Sequence, residues 1–449
     1  MLGILLGLTI IIVLAFLGWS IIWVAPIAAG VVALFGGLDL LTAYTGDYMS
    51  GFVGFAKTWF PIFMLGAIFG KLMEVTAMAN AIAETISRWL GAKRAILAVV
   101  VACSILTYGG VSLFVVVFAV YPLGVSLFRQ ANISRRLLPG TIALGAFTYT
   151  MTAIPGTPQI QNLIPTNYFH TTPAAAPLMG IVSALIMAVL GYYWLVYRET
   201  ALRAKGQVFT ELEAKQPVQT GDEERLENAA GQTETEKAMA PIENKNPNFW
   251  FSMLPLVSVV VALNVTKLSI IIALLIGIML ILVLSVPRYK TFIKAINDGA
   301  NGSVLAIVNT SAAVGFGTVV KAVPGFALLS DFLLTIKGSP LISEAISVTA
   351  LAGATGSASG GMGIALESLG QKYYELAMVQ GLNIEHFHRV AAIASGGLDT
   401  LPHNGAVLTL LVITGMSHRQ SYFDIAMVSL IIPTVSLITV IGLASIGMV

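Results

Sequence analysis

Cysteine is almost missing from this chain: Cys103 is the only one in 449 residues. A lone cysteine excludes a disulfide framework and any cysteine-built zinc site. Charge is scarce too, at 10% of residues, against about 25% in soluble domains. The charges nearly cancel, leaving +2, which gives no ground for a nucleic-acid partner. No G-x-x-x-x-G-K-[ST] run occurs, so an ATP-driven cycle is not expected. No G-x-S-x-G elbow occurs, which argues against an enzyme of the hydrolase type. No second histidine or carboxylate stands at ligand spacing inside an apolar run, so neither a metal nor another cofactor is expected.

What the chain has in quantity is apolar length. It is 57% hydrophobic with a mean hydropathy of +0.86, which reads as an all-α polytopic membrane protein. The bilayer is its first partner, and a bacterial inner or plasma membrane is the expected location. The opening apolar run lacks a basic n-region and an A-x-A site, so it reads as a retained helix. Leu2–Trp19 and Ser20–Leu38 form two adjacent spans, with Trp19 and Trp23 at interface depth. Trp59–Met73 is the core of a third. Glu74–Leu90, with Glu74, Glu84 and Arg88, reads as interfacial or partly buried. Ala95–Phe128 is apolar for about 34 residues, against roughly 20 for one crossing. Its polar Gly-Gly patch predicts a hairpin that turns at depth, or two short half-helices. Pro177–Tyr197 is a further span.

Two stretches interrupt this pattern. Thr152–Asn167 holds Pro155, Pro158, Pro165 and Gly156 among polar residues. A spanning helix must satisfy its own backbone, so this composition predicts a helix broken at membrane depth. Ser395–Thr409 repeats the device around Pro402. Arg198–Asn248 is the one long hydrophilic stretch and reads as a linker between halves. Each half then runs alike: two spans, a third, a Gly-Gly hydroxyl patch, a basic turn, a proline-broken helix. We read residues 1–197 and 249–449 as two inverted repeats joined by the linker at 198–248. Paired breaks of this kind point to a secondary transporter's substrate site at midplane. In this reading the two prolines meet there and cradle a carboxylate.

The candidate substrate contacts follow from those places. At the first break they are Thr152, Gly156, Thr157 and Gln159, a half-helix N-terminus whose free N–H groups and partial positive charge suit a carboxylate. Gln161 and Asn162 either reach substrate hydroxyls or cap the next segment. The hairpin tips are Ser104, Thr107, Tyr108, Gly109, Gly110 and Ser112, and Thr355, Ser357, Ser359, Gly360 and Gly361. Glycine there permits close approach and positive φ, although small residues also serve plain helix packing. Asp399, Thr400, His403 and Asn404 form the second break. Asp399 and His403 are the ion-coupling candidates, because an ionisable group at depth is costly. Arg135, Arg136 and Arg389 read as surface anchors.

At AIPGTPQIQN (153–162), ATGSASGG (354–361) and LDTLPHNGAV (398–407) the sequence resembles the gluconate permease family. These are bacterial organic-anion symporters of the ion transporter superfamily. The resemblance implies two re-entrant hairpins, two broken helices, a dimerising scaffold domain and a transport domain that moves like an elevator. Typical gluconate transporters carry a histidine in the first proline motif, whereas Ile154–Pro158 has none. That departure favours a smaller hydroxy- or oxo-monocarboxylate such as 3-hydroxybutyrate. The expectation is a symporter of a small organic anion, coupled to protons or alternatively to sodium. A cation/proton antiporter on the same plan is the alternative, and a membrane-embedded hydrolase a remote one.

Overall fold

The computed structural model describes residues 1–17, 19–210, 247–328, 339–402 and 404–445. His403 and most of the hydrophilic linker lie outside the described residues. The helices of the first half are α1 (Leu2–Phe16), α2 (Ile21–Gly36), α3 (Leu40–Val75, with a π-helical segment at Ala43–Tyr48), α4 (Met78–Leu90), α5 (Ala95–Tyr108), α6 (Leu113–Gln130), α7 (Leu138–Ala146), the single turn α8 (Tyr149–Thr152), α9 (Ile160–Phe169) and α10 (Pro177–Ala204). Those of the second half are α11 (Phe249–Asn264), α12 (Ile270–Leu284), α13 (Phe292–Ala322), α14 (Pro340–Thr355), α15 (Ala358–Gln380), α16 (Ile384–Ser395), α17 (Gly405–Thr414) and α18 (His418–Ser445). No strand occurs among the described residues.

Local chemistry sets many of these boundaries. Ser20, Asn248, Ser269, Ser339 and Asn383 each accept a backbone N–H from the helix they precede, satisfying a donor the helix itself cannot. Gly356 and Gly415 end α14 and α17 in the left-handed conformation that glycine adopts at little cost.

Among the described residues five helices are long and apolar enough to cross a membrane, or six if the bent pair α4–α5 forms one span. That pair turns by 100° at its break. On α12 the exposed side chains Ile272, Leu275, Met279 and Val283 recur every three to four residues. This continuous apolar stripe would be penalised in water and is at home against lipid. The chain is an all-α polytopic membrane protein.

Two groups of helices carry the architecture. In one, α3 and α13 lie along each other, with α1, α2 and α12 packed beside them. A Cβ on Gly299 would sit 2.7 Å from the Ile68 Cα, and one on Gly315 would sit 2.8 Å from the Tyr48 carbonyl. The missing side chains let these long helices touch backbone to backbone. The other group holds two hairpins and two broken helices.

The hairpins are α5–α6, turning through Gly109–Ser112, and α14–α15, turning at Gly356–Ser357. In the first, Gly110 occupies the turn with φ +96°. In the second the Gly360–Gly361 doublet is not the tip. It lies in the first turn of α15, where a Cβ on Gly361 would fall 2.1 Å from the Ala352 N. Those glycines serve the close crossing of α14 and α15, and Gly356 takes the turn.

The breaks share a backbone course. After α7, Thr148 adopts φ −116°, ψ −117°, then comes the single turn α8. After α16, Gly397 adopts φ −109°, ψ −87°, then the single turn Leu398–Thr400. Each break then passes its proline and restarts as a 10-residue helix, α9 or α17. Each of those ends in a left-handed residue, His170 or Gly415.

The arginines divide. Arg136 is on the surface side, donating to the Gln207 side chain and the Gln420 carbonyl. Arg135 is buried and donates to the Tyr121 hydroxyl. Arg389 is 0% exposed and among the largest fully enclosed side chains. The surface-anchor expectation is therefore corrected for Arg135 and Arg389. Hydropathy sees a charge, but not the ring of carbonyls that a broken helix supplies to it.

Candidate functional site

The first tip and the first break are built against each other. Gln159 Nε2 donates to the Thr107 carbonyl (2.6 Å) and the Val111 carbonyl (3.3 Å), bridging the turn of the hairpin. Tyr108 donates to the Pro155 carbonyl at 3.3 Å, and Pro158 packs on Gly110. Ser104 and Tyr149 share a 2.6 Å hydrogen bond, tying α5 to the single turn α8. Gly109 meets Leu256 of α11 so closely that a Cβ would lie 2.1 Å from its Cδ2.

Gly156 holds φ +77°. Its N–H donates to the Pro173 carbonyl, and its own carbonyl accepts from Asn264 Nδ2 at 2.9 Å. The break is thus clamped from the end of α11.

A polar brace stands behind it. Asn162, 0% exposed, donates through Nδ2 to the Thr157 and Pro173 carbonyls. Its Oδ1 accepts from Arg389 Nη1 at 2.9 Å and faces His388 Nε2 at 3.3 Å. Arg389 also donates to the carbonyls of Ala175, Ala153 and Pro173. His388 Nδ1 contacts Thr171 Oγ1 at 2.6 Å, and Glu385 accepts the Ala176 N–H at 2.7 Å. Breaking a helix frees the Ala153 carbonyl in an apolar setting; one guanidinium from the other half gathers it together with the Pro173 and Ala175 carbonyls of the loop between α9 and α10.

The second site is arranged on the same plan with different chemistry. Asn404 Oδ1 accepts the Val407 N–H, capping α17, while its Nδ2 donates to the tip carbonyl of Gly356 at 2.7 Å. Ser357 accepts the Gly360 N–H and so caps α15. Ser359 lies 3.4 Å from Thr310 of α13. Thr400 is tied to the Gly397 carbonyl and to Ser429, and its carbonyl accepts from Tyr422.

The two breaks touch at Thr152 and Gly396, where a Cβ on the glycine would lie 2.6 Å from the threonine methyl. Each proline lies against a later helix of its own half. Pro155 packs on Gly180 of α10, and the Pro402 carbonyl accepts from His418 of α18.

The sequence-based candidates therefore separate by task. Tyr108, Gly109, Gly110, Gly156, Gln159, Asn162, Thr400 and Asn404 hold the breaks and tips in shape. Four buried atoms of these candidates have no partner among the described residues: Thr107 Oγ1, Thr157 Oγ1, Gln161 Oε1 and Asp399 Oδ1. Ser112 precedes α6 without a side-chain cap, and Gln159 precedes α9 likewise. Two uncapped helix starts thus meet at the first tip, beside two unpartnered hydroxyls. Sequence reasoning missed Asn264, Tyr149 and the inward role of Arg389. Of these only Arg389 carried a signal, as a charge inside the apolar run 387–394.

No protein-family model matches the chain. It is 43% identical over 463 residues to the Bacillus subtilis protein named "uncharacterized transporter YxjC", covering 98% of both chains. A Haemophilus influenzae protein named "uncharacterized transporter" is 32% identical over 146 residues, covering 32% of this chain and 33% of its own length. Identity of this extent along the whole length, on a fold of spanning helices, places the chain in the family of membrane transporters that includes YxjC.

Proposed function

We propose that this transporter is a secondary symporter of a small organic anion, of the short hydroxycarboxylate class to which 3-hydroxybutyrate belongs or of the gluconate class. The observation that carries the reading is the first junction. There two helix starts without side-chain caps meet at the tip, and the Thr107 and Thr157 hydroxyls are buried without partners among the described residues. Uncapped N–H groups at the positive ends of helices, with donors to spare in an apolar setting, suit a carboxylate without requiring a buried cation. At the second site Ser357 and Asn404 cap their own helices. The asymmetry favours the first half for the carboxylate. The substrate hydroxyl then faces Gln161 and the second break.

Asp399 takes the coupling ion in this reading. Its side chain is 5% exposed and Oδ1 has no partner among the described residues, and an acid at membrane depth is a functional candidate by default. The proton is the first choice of ion and sodium the second. The matched breaks and tips support two repeats, 1–197 and 249–449, inverted relative to one another. The α3–α13 group serves as scaffold and the hairpin group as an elevator. A homodimer joined through the scaffold, in a bacterial plasma membrane, completes the proposal.

Counterflow of labelled gluconate, 3-hydroxybutyrate and lactate in proteoliposomes tests it, repeated under imposed pH and sodium gradients. Uptake of at least one acid that responds to one of the gradients is the expected result. Proton release on adding sodium, with no acid exchanged, would replace the symporter by a cation/proton antiporter.

A further inference from the structure

Glu344 lies in α14, the arm that leads to the second hairpin tip, and its side chain is 0% exposed. Among the described residues neither carboxyl oxygen has a hydrogen-bond partner. An ionised carboxylate enclosed in this way has lost its water and gained no counter-charge, which is among the costliest arrangements a protein interior can hold.

The elements packed on α14 offer no relief. α15 brings Tyr373, itself 0% exposed, whose hydroxyl is bound to Ser343 (2.9 Å) and Ser347 (3.2 Å) on the same helix. Elsewhere on α15, Glu367 accepts from Tyr168 and Glu375 from Gln371, Lys372 lies over Phe326, and Tyr374 packs on His170. On α16, Glu385, His388 and Arg389 are bound to the first-half loop, and His386 has a partner of its own. Asp399 stands on the turn that packs near Gly353. α1 and the Ile432–Ser445 part of α18 carry no ionisable side chain.

α14 also ties this acid to the second break. A Cβ on Gly353 would lie 2.8 Å from the Leu398 Cβ, and the Gly356 carbonyl accepts from Asn404 at 2.7 Å. Gly353 lies nine positions beyond Glu344, about 14 Å along one rigid element. Whatever moves the second tip moves Glu344 with it.

We propose that Glu344 is a second proton-binding site, distinct from the substrate site. Its carboxyl gains a proton from one side of the membrane and is enclosed as the neutral acid. It then gives that proton to water when the hairpin reaches the other side: the O–H bond breaks, water takes the proton, and the carboxylate is reprotonated on return. One proton crosses per cycle through this residue, in addition to any carried at Asp399. The direction of travel rests on the symporter reading; the site itself does not.

Two measurements on the full-length protein separate the two claims. Infrared difference spectra of the purified protein under pH change are expected to show the carbonyl band of a protonated carboxyl. That band should be lost in Glu344→Gln, shifted but present in Glu344→Asp, and moved by carbon-13 glutamate labelling of the unmutated protein. A spectrum that Glu344→Gln leaves unchanged overturns the site. In proteoliposomes, Glu344→Gln should retain substrate exchange while the proton-to-substrate ratio falls by one. Limiting accumulation then drops about tenfold per unit of imposed pH difference. An unchanged ratio overturns the coupling role and leaves the symporter standing. If no acid is exchanged even by the unmutated protein, the symporter reading falls and the infrared result alone decides the site.

Discussion

Arg389 and Ala153 belong to different halves of the chain, yet Arg389 Nη1 donates to the Ala153 carbonyl at 3.3 Å and to Asn162 at 2.9 Å. The carbonyl that the first break releases is held by a cation from just before the second break. Removing the guanidinium strands the carbonyls of Ala153 and Ala175 together, each at about 1–3 kcal/mol, while Pro173 keeps its bonds from Gly156 and Asn162. Arg389→Gln should lower unfolding stability in detergent by roughly 3 kcal/mol or more. Arg389→Lys, without the planar fork, should recover only part of it. Thermal unfolding followed by fluorescence-detected gel filtration reads both.

Thr107 and Thr157 should behave in the opposite way. Their hydroxyls are buried and make no hydrogen bond among the described residues, so the resting protein loses little with them. Thr157→Val should leave stability within about 0.5 kcal/mol. It should weaken substrate affinity about tenfold or more, as expected for one lost bond to a charged group. Half-saturation in counterflow, measured beside thermal unfolding, tests the split.

Gly156 combines φ +77° with a Cβ position 2.5 Å from Asn264 Oδ1. Gly156→Ala forces a left-handed side chain, at about 1–2 kcal/mol, and drives off the clamp from α11. Exchange should fall by at least an order of magnitude. Asn264→Ala, which removes the clamp without the strain, should produce a milder loss in the same assay.

The second hairpin offers a paired control. A Cβ on Gly361 would overlap the Ala352 backbone N at 2.1 Å, whereas one on Gly360 would come no closer than 3.2 Å, to Ser357. Gly361→Ala should cost more than about 2 kcal/mol through forced separation of α14 and α15. Gly360→Ala should stay within about 1 kcal/mol. Yield of folded protein after detergent extraction distinguishes them.

Asp399→Asn should preserve exchange and lower uphill accumulation driven by the coupling ion, because a neutral side chain lets the loaded carrier cycle with no ion bound at that position, leaving only the proton carried at Glu344. Loss of all exchange would instead make Asp399 part of the substrate contact. Counterflow and gradient-driven uptake, run side by side, give the answer.

The breaks and hairpins were legible because prolines, glycines and hydroxyls inside apolar runs have few other physical uses. The single turns after Thr148 and Gly397 and the matched left-handed ends at His170 and Gly415 follow those signals closely. What composition hides is the partner. Gln159 and Asn162 read as ligand contacts, but their amides are taken up by Thr107, Val111, Thr157 and Pro173 carbonyls. The Gly-Gly doublet at 360–361 looks like a turn, and only the crossing of α14 and α15 explains it. Glu344 is the sole acid in Leu341–Leu351, a signal of the same kind as Asp399.

The Arg389 brace has a consequence for biogenesis. The ribosome finishes Ala153 and Asn162 more than two hundred residues before it delivers Arg389, so the first half enters the bilayer with its released carbonyls unclaimed. It must wait, half assembled, for the second half to arrive. Expressed alone, residues 1–210 should be cleared by membrane proteases. Supplied with the second half as a separate chain, they should persist, and Arg389→Gln in that second chain should withdraw the protection.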